Sequence, residues 1–137
     1  MKFIYQRTLY LADTDAAGVI YFARGLNLCH EAYEAFLIKQ GVNLPSLYKN
    51  PQVAYPIVHA EIDFFRPLRS GDRLHIHLTA TAIGETGFTL SYRLYFEDQT
   101  DPLLAQAQTK HIAIAPETRQ RHPLPASKLE MLEILAS

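Results

Sequence analysis

Between Pro56 and Ala115 apolar residues recur at every second position through four successive runs divided by turn-forming residues, a pattern that allows little except an antiparallel sheet. In the first run Val58, Ala60, Ile62 and Phe64 share one face, and Ile57, His59, Glu61, Asp63 and Phe65 share the other. Pro67 and Ser70-Gly71-Asp72 turn the chain. Leu74, Ile76, Leu78, Ala80 and Ala82 then alternate with His75, His77, Thr79 and Thr81. After Gly84-Glu85-Thr86-Gly87, Phe88, Leu90, Tyr92, Leu94 and Phe96 alternate with polar partners. The last strand is predicted over Leu103 to Ala115, where Ala105, Ala107, Thr109, His111 and Ala113 form a face small enough for a helix to lie close.

Ahead of the sheet the period is different. Phe3 to Ala12 is strand-like, and Tyr21 to Gln40 carries Phe22, Leu26, Cys29, Tyr33, Phe36 and Leu37 at spacings of three and four, an apolar helical stripe ended by Gly41. Glu31, Glu34 and Lys39 fall on the opposite face and are expected to be solvated. Val42 to Tyr55 reads as an irregular flap with a helical turn near Leu44 to Tyr48, and Ala126 to Leu135 as a short terminal helix. Strand, long helix, then antiparallel strands is an α+β layout: one long helix wrapped by a curved antiparallel sheet. One helix leaves a sheet face and an edge uncovered, so pairing with a second copy, as a homodimer or homotetramer, is expected.

A chain of 137 residues is one ordinary domain, taken here as 1–137. Its net charge of −1 gives no electrostatic basis for nucleic-acid binding. The single cysteine, Cys29, excludes an internal disulfide and points to the reducing cytoplasm. Met1 to Arg7 turns polar before a signal-peptide core could form, and no run reaches membrane-spanning length, so no membrane partner is expected.

The chemistry concentrates at Asp13-Thr14-Asp15-Ala16-Ala17-Gly18, between the first strand and the long helix. Two carboxylates two residues apart in extended backbone point the same way, and Gly18 permits a turn that other residues avoid. The helix start adds backbone N–H groups without intrahelical partners, suited to negative charge developing on a substrate oxygen. Such a carboxylate can act as nucleophile or general base on an activated acyl group; it can equally be a helix cap. The competing chemistries are weaker. No G-x-S-x-G is present, Cys29 lies on the apolar stripe, and His30-Glu31 lacks the histidine that a zinc helix needs, having Glu34 in its place. His75 and His77 share a strand face without completing a ligand set, so no metal and no cofactor are expected.

The run Asp13 to Phe22, the long helix after it, and Pro56-Ile57-Val58-His59 opening the next strand resemble the 4-hydroxybenzoyl-CoA thioesterase branch of the hotdog-fold thioesterases. Within the branch, Tyr10 to Asp15, Cys29 to Glu34 and His59 to Phe65 are similar to members acting on 1,4-dihydroxy-2-naphthoyl-CoA in phylloquinone biosynthesis. The resemblance implies a hotdog fold, an acyl-CoA substrate, Asp15 as the catalytic carboxylate and the backbone N–H near Phe22 as the group polarising the thioester carbonyl. It further implies Asp13 in support, His59 near the acyl group, and Tyr21 and Gly18 lining the site, which the family builds between two chains. Relatives that grip the CoA phosphates from the Gly84 to Gly87 turn use basic residues absent here, which leaves Arg66, Arg69, Lys110, Arg119 and Arg121 as candidates. A broader acyl-CoA or acyl-carrier-protein thioesterase, or a non-catalytic binding domain, remains open on the residues alone.

Overall fold

The computed structural model describes residues 3–136; Met1, Lys2 and Ser137, the ends of the expected domain, lie outside it. Strand β1 (Phe3–Thr8) leads through a one-turn helix at Leu11–Asp13 to the long helix α1 (Phe22–Lys39). The chain continues through a second single turn at Leu44–Leu47 into β2 (Ile57–Phe64), β3 (Arg73–Ile83), β4 (Gly87–Phe96) and β5 (Ala105–Ile112), and closes with α2 (Ala126–Leu135). The strands form one five-stranded sheet in the order β1-β3-β4-β5-β2, every neighbouring pair antiparallel. Strand β2 thus reaches the far edge, where its outer backbone groups have no strand beside them among the described residues.

The core is the alternation made solid. Leu74, Ile76, Leu78 and Ala80 of β3, Phe88, Leu90, Tyr92 and Leu94 of β4, and Ala105 and Ala107 of β5 are buried under α1 and α2. Alternation fails where β3 bulges between Ala80 and Ala82: Ala82, expected inside, is exposed, and Ile83 packs on the core instead. A second irregularity separates Ile57 from His59 in the β2–β5 ladder.

Helix α1 buries Gly25, Leu28, Cys29, Ala32, Tyr33, Phe36 and Leu37, a stripe rotated from the one expected. Phe22 is 67% exposed and Leu26 only half-buried. The rotation has a local cause at Gly25: a Cβ there would lie 2.7 Å from Ile62 Cδ1 and from Phe64 Cζ, so its lack of a side chain lets the helix seat against β2. Each large aliphatic or aromatic side chain so buried contributes about 1.5–3 kcal/mol. The helix ends in a Schellman motif, with Gly41 at φ +84°, its N–H donating to Ile38 O at 2.9 Å and the Val42 N–H to Leu37 O at 3.0 Å. In α2, Lys128 and Leu135 join Leu132 on the buried face, while Leu129 is half-buried.

Candidate active site

Residues 13–21 form a small hairpin rather than a plain junction. The Asp15 N–H donates to Val19 O at 2.9 Å, the Tyr21 N–H donates to Asp13 O at 2.9 Å, and Thr14 pairs with Ile20. Its tip is closed by the Gly18 N–H on Asp15 O at 3.0 Å, with Gly18 at φ +81° and nothing within 4 Å of where a Cβ would stand. One arm of the hairpin carries the aspartates and the other runs directly into α1. Asp15 is exposed at the tip, its Oδ1 accepting the Ala17 N–H at 2.8 Å. That bond orients the carboxylate, and among the described residues no hydrogen bond engages its other oxygen.

Asp13 has a different environment, so the expectation that both carboxylates point the same way fails. It closes the turn at Leu11–Asp13, accepting the Tyr10 N–H at 2.8 Å, and is buried against Arg7, whose guanidinium lies 2.7 Å from Asp13 Oδ2. Arg7 also pairs with Glu31 at 3.0 Å, and Arg24 stands 3.5 Å from Asp13 Oδ1. The Arg7 hydrogen bond holds the Asp13 carboxyl below the usual carboxylate range against the opposing pull of burial, helped by the Tyr10 N–H and Arg24. Glu31, expected to be solvated, is half-buried and bonded to Arg7 and Tyr5. Neither aspartate caps α1: the cap position is Tyr21, which makes no side-chain cap bond. The first-turn amides of Phe22 and Ala23 therefore keep the open N–H geometry of a helix start.

The other expected site residues divide. Tyr21 and Phe22 stand exposed at the helix start, their rings 4.9 Å apart. His59 is exposed on edge strand β2 and paired with Glu61 at 3.0 Å; among the described residues no hydrogen bond or ion pair joins it to Asp15. Cys29 is fully buried, and burial pushes its thiol up to about 12, which makes it an inert packing residue. Arg66, Arg69, Lys110 and Arg119 are exposed, whereas Arg121 donates to Thr86 O at 3.1 Å and to Thr86 Oγ1 at 3.0 Å. Among the described residues no group of three or more His, Cys, Asp or Glu is placed to hold a metal ion, and no helix is long and apolar enough to cross a membrane.

Sequence reasoning missed a cavity of about 360 Å³ between the second half of α1, the flap and α2, walled by Leu37, Leu44, Tyr55 and Ile57 and by the polar groups of Tyr33 and Lys128. The volume falls in the ~300–1,000 Å³ range of small-molecule pockets. His111 contributes from β5, stacked on Phe88 with ring centroids 4.6 Å apart and bonded to Thr109 Oγ1 at 2.8 Å, which in turn meets Tyr92 Oη at 2.7 Å. Desolvation, with the nearby Lys128 and His30, pulls the His111 imidazole down to about 4, so it is neutral at physiological pH. One sequence signal was available: Lys128, Leu132 and Leu135 follow helical spacing, which places a lysine on the buried face.

Comparison with known proteins matches the geometry. The family model described as the thioesterase-like superfamily matches residues 10–132. A 1,4-dihydroxy-2-naphthoyl-CoA hydrolase of Rippkaea orientalis is 51% identical over 129 residues, covering 94% of each chain, and one of Crocosphaera subtropica is 48% identical, covering 93% of each. The crystal structure of a 1,4-dihydroxy-2-naphthoyl-CoA thioesterase from Synechocystis superposes with a TM-score of 0.91 at 41% identity, covering 98% of both chains. The helix lying against a five-stranded antiparallel sheet superposes on the Synechocystis enzyme over nearly the whole sequence, and the chain belongs to the thioesterase-like superfamily.

Proposed function

We propose that this protein, a single domain over 1–137, hydrolyses the thioester of 1,4-dihydroxy-2-naphthoyl-CoA in the cytoplasm, as a step of phylloquinone biosynthesis within the 4-hydroxybenzoyl-CoA thioesterase branch. The observation that carries the reading is the hairpin that exposes the Asp15 carboxylate on one arm and leads through the other into the open amides of α1, in a chain about half identical to hydrolases of that substrate. The Phe22 N–H receives the charge growing on the thioester oxygen. Asp15 either attacks the carbonyl carbon, expelling CoA thiolate and leaving an anhydride for water to open, or takes a proton from the attacking water. In both routes one C–S bond breaks, one water is consumed, and the products are the free acid and CoA. Gly18 leaves open space at the hairpin tip, Tyr21 stands exposed beside Phe22 at the helix start, and Asp13 holds the hairpin through Arg7.

The reading includes a symmetric dimer. The cavity residues His30 to Leu37 lie about 12 to 22 Å farther along α1 than Phe22, at 1.5 Å per residue, too far for the ring of an acyl group held at Asp15 of the same chain. Helix α1 begins over the Phe64 end of β2, and the cavity sits at the Ile57 end. Pairing β2 with its copy in antiparallel fashion sets the Ile57 end of one chain beside the Phe64 end of the other, which brings each cavity to its partner's Asp15 and His59 toward the shared site. Exposed apolar residues along this edge support the pairing, Val58 at 57% and Phe65 at 54% among them. The test is a substrate panel at matched concentrations, with 1,4-dihydroxy-2-naphthoyl-CoA hydrolysed at least 100-fold more efficiently than palmitoyl-CoA and more efficiently than benzoyl-CoA, in line with the ~10²–10⁵-fold selectivity of hydrogen-bonding sites. Comparable kcat/KM on palmitoyl-CoA would overturn the substrate assignment.

A further inference from the structure

We propose that Lys128 and Tyr33 together read a ring hydroxyl of the acyl group, which makes them the residues that select hydroxylated aryl thioesters; this rests on the functional reading above. Lys128 is 5% exposed, yet no ion pair among the described residues includes it. Its ammonium donates to Tyr33 Oη and is surrounded by ring faces, with centroids at 4.9 Å for Tyr33, 4.7 Å for Tyr55 and 5.2 Å for Phe88. An aliphatic side chain would fill the same place without desolvating a charge, so packing does not account for a lysine. The three rings hold the ammonium by cation–π attraction without neutralising it, as a carboxylate would.

The position of the pair gives it a task. Lys128 and Tyr33 line the cavity, whose wall also carries His30, Glu34 and His111 among aliphatic and aromatic side chains, and Lys128 borders the adjoining space beneath the flap as well. An ammonium has three N–H groups, of which Tyr33 Oη takes one; Tyr33, having accepted, has its own O–H to donate. The two side chains therefore offer donors converging on one oxygen with two lone pairs. A flat aryl group entering with its thioester toward the mouth presents such an oxygen when it bears a hydroxyl away from the ester, as at position 4 of the naphthoyl ring. An acyl group without that hydroxyl leaves the buried donors unmatched, which is the condition for strong rejection.

The experiment compares kcat/KM for 1,4-dihydroxy-2-naphthoyl-CoA and 1-hydroxy-2-naphthoyl-CoA in the wild type, Lys128→Met and Tyr33→Phe. The wild type is expected to prefer the dihydroxy substrate by about 100-fold or more, and each variant to shrink that ratio below about tenfold. A role in folding alone would lower both rates together and leave the ratio standing, which would overturn the proposal. Should Lys128→Met not fold, Tyr33→Phe, which removes one oxygen and keeps the ring, decides the matter. A wild-type ratio near one, with the dihydroxy substrate still hydrolysed, sinks this inference alone; no hydrolysis of that substrate sinks the functional reading with it.

Discussion

A carboxylate can look alike in two sequences and do opposite things, and Asp13 and Asp15 do so within three residues. Asp13 is buried, bridged to Arg7 and below its ordinary titration range, so it is fixed as a structural anion; Asp15 is exposed, oriented by one backbone N–H, and able to meet a reactant. Asp15→Asn keeps the Ala17 bond and the turn but removes the basic lone pair. A fall in kcat of at least 100-fold, about 2.7 kcal/mol in the barrier, with an unchanged melting temperature is the expected result, and retention of more than about a tenth of the rate would remove Asp15 from the mechanism. His111 yields a prediction about acid. Its imidazole is held neutral down to about 4, whereas the unfolded chain titrates near 6.5; between those values the unfolded state binds more protons, so stability falls as pH drops. Urea unfolding should show about 2 kcal/mol lost between pH 7 and pH 5, a loss much reduced in His111→Gln. An undiminished loss in that variant would place the sensitive group elsewhere.

At the scale of elements, strands were legible because their apolar residues answer to a period of two set by the backbone itself, and α1 because its stripe answers to 3.6. What escaped were positions where another part of the chain decides. The bulge after Ala80 turns Ala82 outward although the local pattern places it inside, and the close seat of α1 on β2 at Gly25 rotates the helix until Phe22 faces solvent. The turn carrying Asp15 was visible as a glycine beside carboxylates, but its hairpin was not, since the bond from Ile20 N–H to Leu68 O at 2.7 Å depends on a segment almost fifty residues away. The cavity escaped for the same reason: α1, flap, β5 and α2 each supply a wall, and the one local signal, a lysine spaced with Leu132 and Leu135 on the buried face of α2, does not say what it faces. Gly87 tests how tightly β4 and β5 are set. A Cβ there would meet His111 O at 2.7 Å, a backbone atom that cannot swing away, so Gly87→Ala is expected to lower stability by about 1–3 kcal/mol and to disturb the cavity wall at His111. A variant as stable as the wild type in urea would mean that the two strands can separate there without penalty.

For the whole molecule the question is how, on the proposed function, a carboxylate at one end of α1 and a cavity at the other serve a single reaction. Two chains answer it if β2 pairs with β2, because the antiparallel arrangement reverses one helix against the other and sets start beside end. Complementation distinguishes this from a site contained in one chain. Asp15→Asn removes the carboxylate and spares the cavity, whereas Ala54→Trp, at a half-buried position in the cavity wall, fills the cavity and spares the carboxylate. Each homodimer should be inactive. After unfolding and refolding together, a mixed dimer has one site with both lesions and one with neither, so random mixing should restore about a quarter of wild-type sites. A site built within one chain gives the opposite outcome, for each chain then carries either a filled cavity or no carboxylate. No recovered hydrolysis in a sample shown by native mass spectrometry to contain mixed dimers would therefore exclude the shared site and require a route from Asp15 to the cavity along a single helix.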